Sequence, residues 1–139
     1  MENKPYELIE HTADVGIRVK GADLKDLFKN AAIAMFDIVA ARKTEANPPK
    51  KIIVKQSADN LEELFINWLN ELLYLSATKD LIFSDLQIAR LNEKGIEAIA
   101  AGSDMKNYKM NTEIKAATYH QLKLKQIESG WQAEVIFDV

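Results

Sequence analysis

Near residue 81 the hydrophobic pattern of the chain changes period, from about 3.6 residues to about 2, and this switch restricts the available folds more than any other feature. Ahead of it lies "DNLEELFINWLNELLYLSAT", in which Leu61, Leu64, Phe65, Trp68, Leu69, Leu72 and Leu73 form one wide apolar stripe. Asp59 and Glu62 are placed to cap its start. Behind it, "LIFSDLQIARLNEKGIEAIAAGSD" alternates and predicts two strands joined by a turn at Glu93-Lys94-Gly95. "IKAATYHQLKLKQI" and "WQAEVIFDV" then predict two more strands around Ser129-Gly130, after a polar loop.

The first half completes the pattern. Residues 5–10 and 15–20 read as strands, the second with Val15, Ile17 and Val19 on one face and Arg18 and Lys20 on the other. A second helix is predicted in "GADLKDLFKNAAIAMFDIVA", with Asp23 as N-cap, Asp26 three residues on, and Leu24, Leu27, Phe28, Ala31, Met35, Ile38 and Val39 at helical spacing. The prolines of "KTEANPP" end it, and "KIIVKQS" is a short strand. The expected fold is α+β: residues 1–139 as a single compact domain, two amphipathic helices packed on a curved mixed or antiparallel sheet.

Several function classes are excluded or disfavoured. The chain has no cysteine, hence no disulfide, thiolate metal site or cysteine nucleophile. No apolar run approaches the roughly 20 residues of a membrane helix. The opening "MENKPYELIEH" has no secretory pattern, so a cytoplasmic protein is expected. A net charge of −3 is not the basic footprint of a protein that grips RNA phosphates unaided. Among five glycines there is no phosphate-cradling loop, and neither HExxH nor a nucleophile elbow occurs.

The chemistry-bearing residues lie at the two ends of the chain. In "EHTADVGIRV", His11, Thr12 and Asp14 crowd the mouth of a strand. In the last strand, Trp131, Ala133, Val135, Phe137 and Val139 share one face and Glu134, Ile136 and Asp138 the other, with apolar residues on both. Asp138 and the carboxylate at Val139 therefore stand side by side at the end of a largely buried strand. If Asp14 meets that end, three carboxylates converge on a site for a hard divalent cation, calcium or magnesium. Zinc fits poorly with two histidines and no cysteine. The plainer readings are an Asp14 that accepts turn hydrogen bonds and an Asp138 that is simply solvated. His11 and His120 offer a proton-transfer pair or two structural histidines. Lys115 is either partly buried against an anion or a lysine whose stem covers apolar surface.

Taken together, "YELIEHTADVGIRVKGADLKDLFKNAA", "LEELFINWLNELLYL", "EIKAATYHQLKL" and "AEVIFDV" resemble the archease family, in its order and over most of the chain. Gly102-Ser103 stands where many members carry Gly-Glu in a loop before the late strand. The resemblance implies a helper for the tRNA-splicing RNA ligase that joins a 2′,3′-cyclic phosphate or 3′-phosphate end to a 5′-hydroxyl. Such a helper promotes guanylylation of the ligase and its multiple turnover, without a catalytic set of its own. It implies metal binding at Asp14, Asp138 and the carboxylate of Val139, a functional Lys115, and His11 and His120 as neighbours that orient the site. The competing expectations are a small metal-dependent phosphohydrolase using His11, Asp14, His120 and Asp138, and a general chaperone-like binding module.

Overall fold

The structure, a computed structural model, describes residues 4–9, 14–43 and 49–139. Both predicted helices are present. Helix α1 (Leu24–Val39) begins where the Asp23 carboxylate accepts the Asp26 amide at 2.8 Å, while the Asp26 carboxylate accepts the Ala22 amide at 2.9 Å. The first bond satisfies an amide donor that the first turn leaves without a helical partner, and the second fixes the residue before the cap. Helix α2 (Leu61–Lys79) starts one residue later than the Asp59–Glu62 reading requires. Its cap is Asn60, in extended backbone, whose side-chain oxygen accepts the Glu63 amide at 2.9 Å. Both residue types make good caps, and here the extended backbone falls at Asn60, directly before the first apolar residue of the stripe.

The helices are cross-braced. Trp68 donates its indole N–H to the Phe28 carbonyl at 3.0 Å, and the Phe28 and Phe65 rings meet edge to face with centroids 5.1 Å apart. All three side chains are fully buried. Burying aromatic side chains of this size dominates core energetics, and the indole N–H finds the partner it needs there.

The strands are β1 (Tyr6–Ile9), β2 (Val15–Gly21), β3 (Ala40–Arg42), β4 (Lys50–Ser57), β5 (Leu81–Leu91), β6 (Gly95–Asp104), β7 (Tyr108–Met110), β8 (Ala116–Ile127) and β9 (Gly130–Asp138). In place of one curved sheet they form three, with orders β1-β2-β9-β8, β4-β6-β5 and β3-β7, and every described pairing is antiparallel. Helix α1 packs against β2 and β5, and α2 against β8 and β4, so each helix touches both larger sheets. The stretch read as a polar loop after residue 104 contains a 3-10 turn (Met105–Asn107) and β7. Gly102 and Ser103 lie within β6 and not in a loop. Ser103 is buried opposite Ile82, and a Cβ on Gly102 would press on the Ile82 carbonyl at 2.8 Å.

The placement of the first and last strands matters most for the site. Strand β9 is central in its sheet, flanked by β2 and β8. Ile17, Val19, Ala133, Val135 and Phe137 are fully buried, and Ile136, on the other face, is nearly so. The face that "WQAEVIFDV" gives to Ala133, Val135 and Phe137 is fully buried, whereas on the opposite face only Ile136 is buried, Gln132 and Glu134 being half-buried and Asp138 exposed.

Candidate functional site

The register of the four-stranded sheet brings its polar ends together. Val15 stands opposite Phe137 in the β2–β9 ladder, so Asp14 and Asp138 each lie one step beyond the same pair. On the other side of β9, Ala116 stands opposite Asp138, and the Lys115 amide donates to the Asp138 carbonyl at 2.8 Å. Asp14, Lys115, Asp138 and Val139 thus gather where three adjacent strands end. Asp14 is half-buried, whereas Lys115, Asp138 and Val139 are exposed. Exposure of Lys115 counts against the reading in which it is partly buried.

His120 sits differently. Thr118 pairs with Ile136 and Lys123 with Glu134, which leaves residues 119–122 of β8 opposite Val135 alone. This wide bulge lifts His120 out of the ladder and leaves it exposed, its amide donating to the Thr118 hydroxyl at 3.3 Å. Gln121, at φ 52°, occupies the left-handed region that only a few per cent of non-glycine residues adopt. His11 lies outside the described residues.

Groups that the sequence reading did not single out hold this end in place. The Asn70 side chain of α2 accepts the Ala117 amide at 2.7 Å and donates to the Ala117 carbonyl at 3.2 Å. A side-chain amide thereby does for β8, an edge strand, what a neighbouring strand would do. The Thr118 hydroxyl donates to the Ile136 carbonyl at 2.8 Å. Further along the open face, Arg18 donates twice to Glu134, at 2.7 and 3.0 Å, and once to Glu7, while the Lys123 ammonium lies 3.5 Å from Glu134. The hydrogen bonds from Arg18 hold the Glu134 carboxyl below its ordinary range, against the opposing pull of partial burial.

The chemistry available at the strand ends is that of hard oxygen donors beside one ammonium group. Among the described residues, no group of three or more histidine or carboxylate side chains is placed to hold a metal ion. Two carboxylate side chains, Asp14 and Asp138, stand at these strand ends, and oxygen donors of this kind suit hard cations over soft ones. Among the described residues, no helix is long and apolar enough to cross a membrane.

Comparison with known proteins extends this picture. The sequence profile of the archease protein family matches residues 6–139. Protein archease of Methanosarcina mazei is 35% identical over 144 residues, covering 99% of this chain and 98% of its own. Protein archease of Pyrococcus abyssi is 35% identical over 143 residues, covering 98% and 99%. The solution structure of protein 1598 of Methanobacterium thermoautotrophicum superposes with a TM-score of 0.75 at 26% identity, over 99% of this chain and 100% of that one. The crystal structure of an archease from Thermotoga maritima, described there as a possible chaperone, matches in fold with a TM-score of 0.65 at 24% identity, over 100% and 98%. The names of these relatives describe a protein or a possible chaperone and not an enzyme.

Proposed function

Because the chain belongs to the archease family, we propose that it is a cytoplasmic activator of the tRNA-splicing RNA ligase that joins 2′,3′-cyclic phosphate or 3′-phosphate ends to a 5′-hydroxyl. It promotes guanylylation of that ligase and its repeated turnover, and it meets RNA only through the ligase. The observation that carries this reading is the register of β2, β9 and β8, which gathers Asp14, Asp138 and Lys115 at one end of the sheet. Asp14, Asp138 and the carboxylate at Val139 would hold a divalent cation, calcium first and magnesium second. A cation so bound supplies positive charge against developing phosphate charge. Lys115, tied through its backbone to Asp138, presents a second positive group beside it, and His11 and His120 orient the surroundings.

Activation of another protein's chemistry accounts for a chain that has acidic oxygen donors and no phosphate-cradling loop. The net charge of −3 supports a protein partner over direct capture of RNA. The test is ligation at limiting ligase with GTP and metal, with and without this chain. Wild type is expected to raise the number of turnovers, and Asp138→Ala is expected not to, while its melting transition stays within about 0.5 kcal/mol of wild type because the residue is exposed. Phosphoester turnover by the isolated chain, abolished by Asp14→Ala, would replace this reading with the phosphohydrolase one. Suppression of aggregation of unrelated proteins, without any effect on the ligase, would replace it with general chaperone action.

A further inference from the structure

Beside the acidic end lies a cavity of about 460 Å³, bounded by the last turns of both helices and by residues 110–114. Its walls are mostly apolar, with Val39 from α1, Leu73 from α2, and Met105, Met110 and Ile114. The volume lies in the range of small-molecule and side-chain pockets. Methionine is the side chain best able to reshape around an incoming group, and Met110, on the rim, is 50% exposed. Ser76 offers little to a ligand, since its hydroxyl already donates to the Leu81 carbonyl.

The electrostatics of the cavity point one way. Among the described residues that line it, Glu113 is the only charged one. Two helix C-terminal ends converge on it; α1 has no basic residue in its last turn and leaves its negative partial charge unopposed, whereas α2 carries Lys79 in its last turn. Neither Lys79 nor Lys109, on the short strand β7, lines the cavity. The cavity is also joined to the strand ends by a short strap. Asn111 and Thr112 donate to the Val39 carbonyl at 2.8 and 3.4 Å, Ile114 is buried, and the next residue, Lys115, donates to Asp138.

From this we infer that the cavity receives an apolar side chain of a partner protein from a segment that also carries lysine or arginine. The apolar group enters between Met105, Met110 and Ile114, and the flanking cation pairs with Glu113 and the helix ends. An anionic segment is disfavoured by the same groups. The inference rests on the activator reading in one respect, that the partner is the ligase. It adds a second contact to the one at Asp138, with Glu113 two residues before Lys115 on the strap.

The experiment has two arms. In the first, the full chain with labelled methionine methyl groups is titrated with phenethylammonium and, separately, with 3-phenylpropionate. The ammonium compound is expected to shift Met105 and Met110 but not the fully buried Met35, and the anion to act more weakly. No shift, or equal shifts with both, overturns the inference. In the second arm, Glu113→Lys and Met110→Lys are expected each to weaken binding to the ligase about tenfold, with melting temperature and calcium affinity unchanged. Unchanged ligase binding by both variants overturns the inference while leaving the activator reading intact. If wild type binds no ligase but phenethylammonium still shifts Met105 and Met110, the activator reading fails and the pocket for a basic, apolar group stands.

Discussion

The two ends of the four-stranded sheet are built on opposite principles. At the end where β2 stops and β9 starts, backbone is pressed on backbone. Gly130 adopts φ 140°, and a Cβ there would overlap the Gly21 carbonyl oxygen. A Cβ on Gly21 would in turn run into the backbone of Leu27 in α1. At the other end, Asp14, Lys115, Asp138 and Val139 are half-buried or exposed. One end is closed by glycine and the other is left open to charge. Strand β9 is clamped at its first residue and buried as far as Phe137, which leaves the side chain of Asp138 beyond it available as a polar group.

The largest expected effect comes from the closed end. Gly130→Ala combines a conformation that L side chains rarely adopt with a steric overlap on Gly21. It should cost about 3 kcal/mol or more, read as the shift in urea midpoint at constant slope. A loss below about 1 kcal/mol would show that this end yields readily and would remove the contrast. Next comes the brace at the open end. Asn70→Ala leaves the Ala117 amide and carbonyl without their side-chain partners and should cost about 1–3 kcal/mol. Hydrogen exchange at the Ala117 amide is the direct measurement. Faster exchange there with little change in β2 would place the weak point on the β8 side, next to Lys115.

What the sequence made legible follows the range of the interactions. Local periodicity was enough for both helices and for the β5–β6 and β8–β9 hairpins, because each depends on neighbours close in the chain. The cap of α2 was misplaced by one residue because Asp59 and Asn60 both suit the role, and only backbone conformation distinguishes them. The pairing of β3 with β7 was not visible, since three-residue strands carry no period. Asp14 and Asp138 could be picked out as residues, but not their meeting: nothing in the spacing of positions 14 and 138 encodes the β2–β9 register. The bulge in β8 was hidden by its own pattern, because "HQLKLKQI" alternates as a regular strand would. Asn70 was passed over because a polar residue on a helix reads as surface until the strand beside it is known.

The smallest expected effect lies between the two ends, at Glu134, and it sharpens the contrast by showing what the middle of the open face does. Arg18 and Lys123 both favour the ionised Glu134, so its carboxyl titrates lower in the folded chain than in the unfolded one. The sign follows directly. The stabilisation is fully present above the ordinary carboxyl value of 4.5 and is lost as pH falls through the depressed folded value. Glu134→Gln should therefore lower stability at neutral pH by less than about 1 kcal/mol and flatten the acid limb of the melting profile below that point. It should leave activation of the ligase unchanged, because Glu134 is four residues along β9 from Asp138 and bonds along the ladder to β2 and β8. Loss of activation with normal stability would extend the functional surface from the strand ends down the open face of the sheet. A stability loss as large as that of Asn70→Ala would instead make the Arg18–Glu134 pair part of what clamps β9.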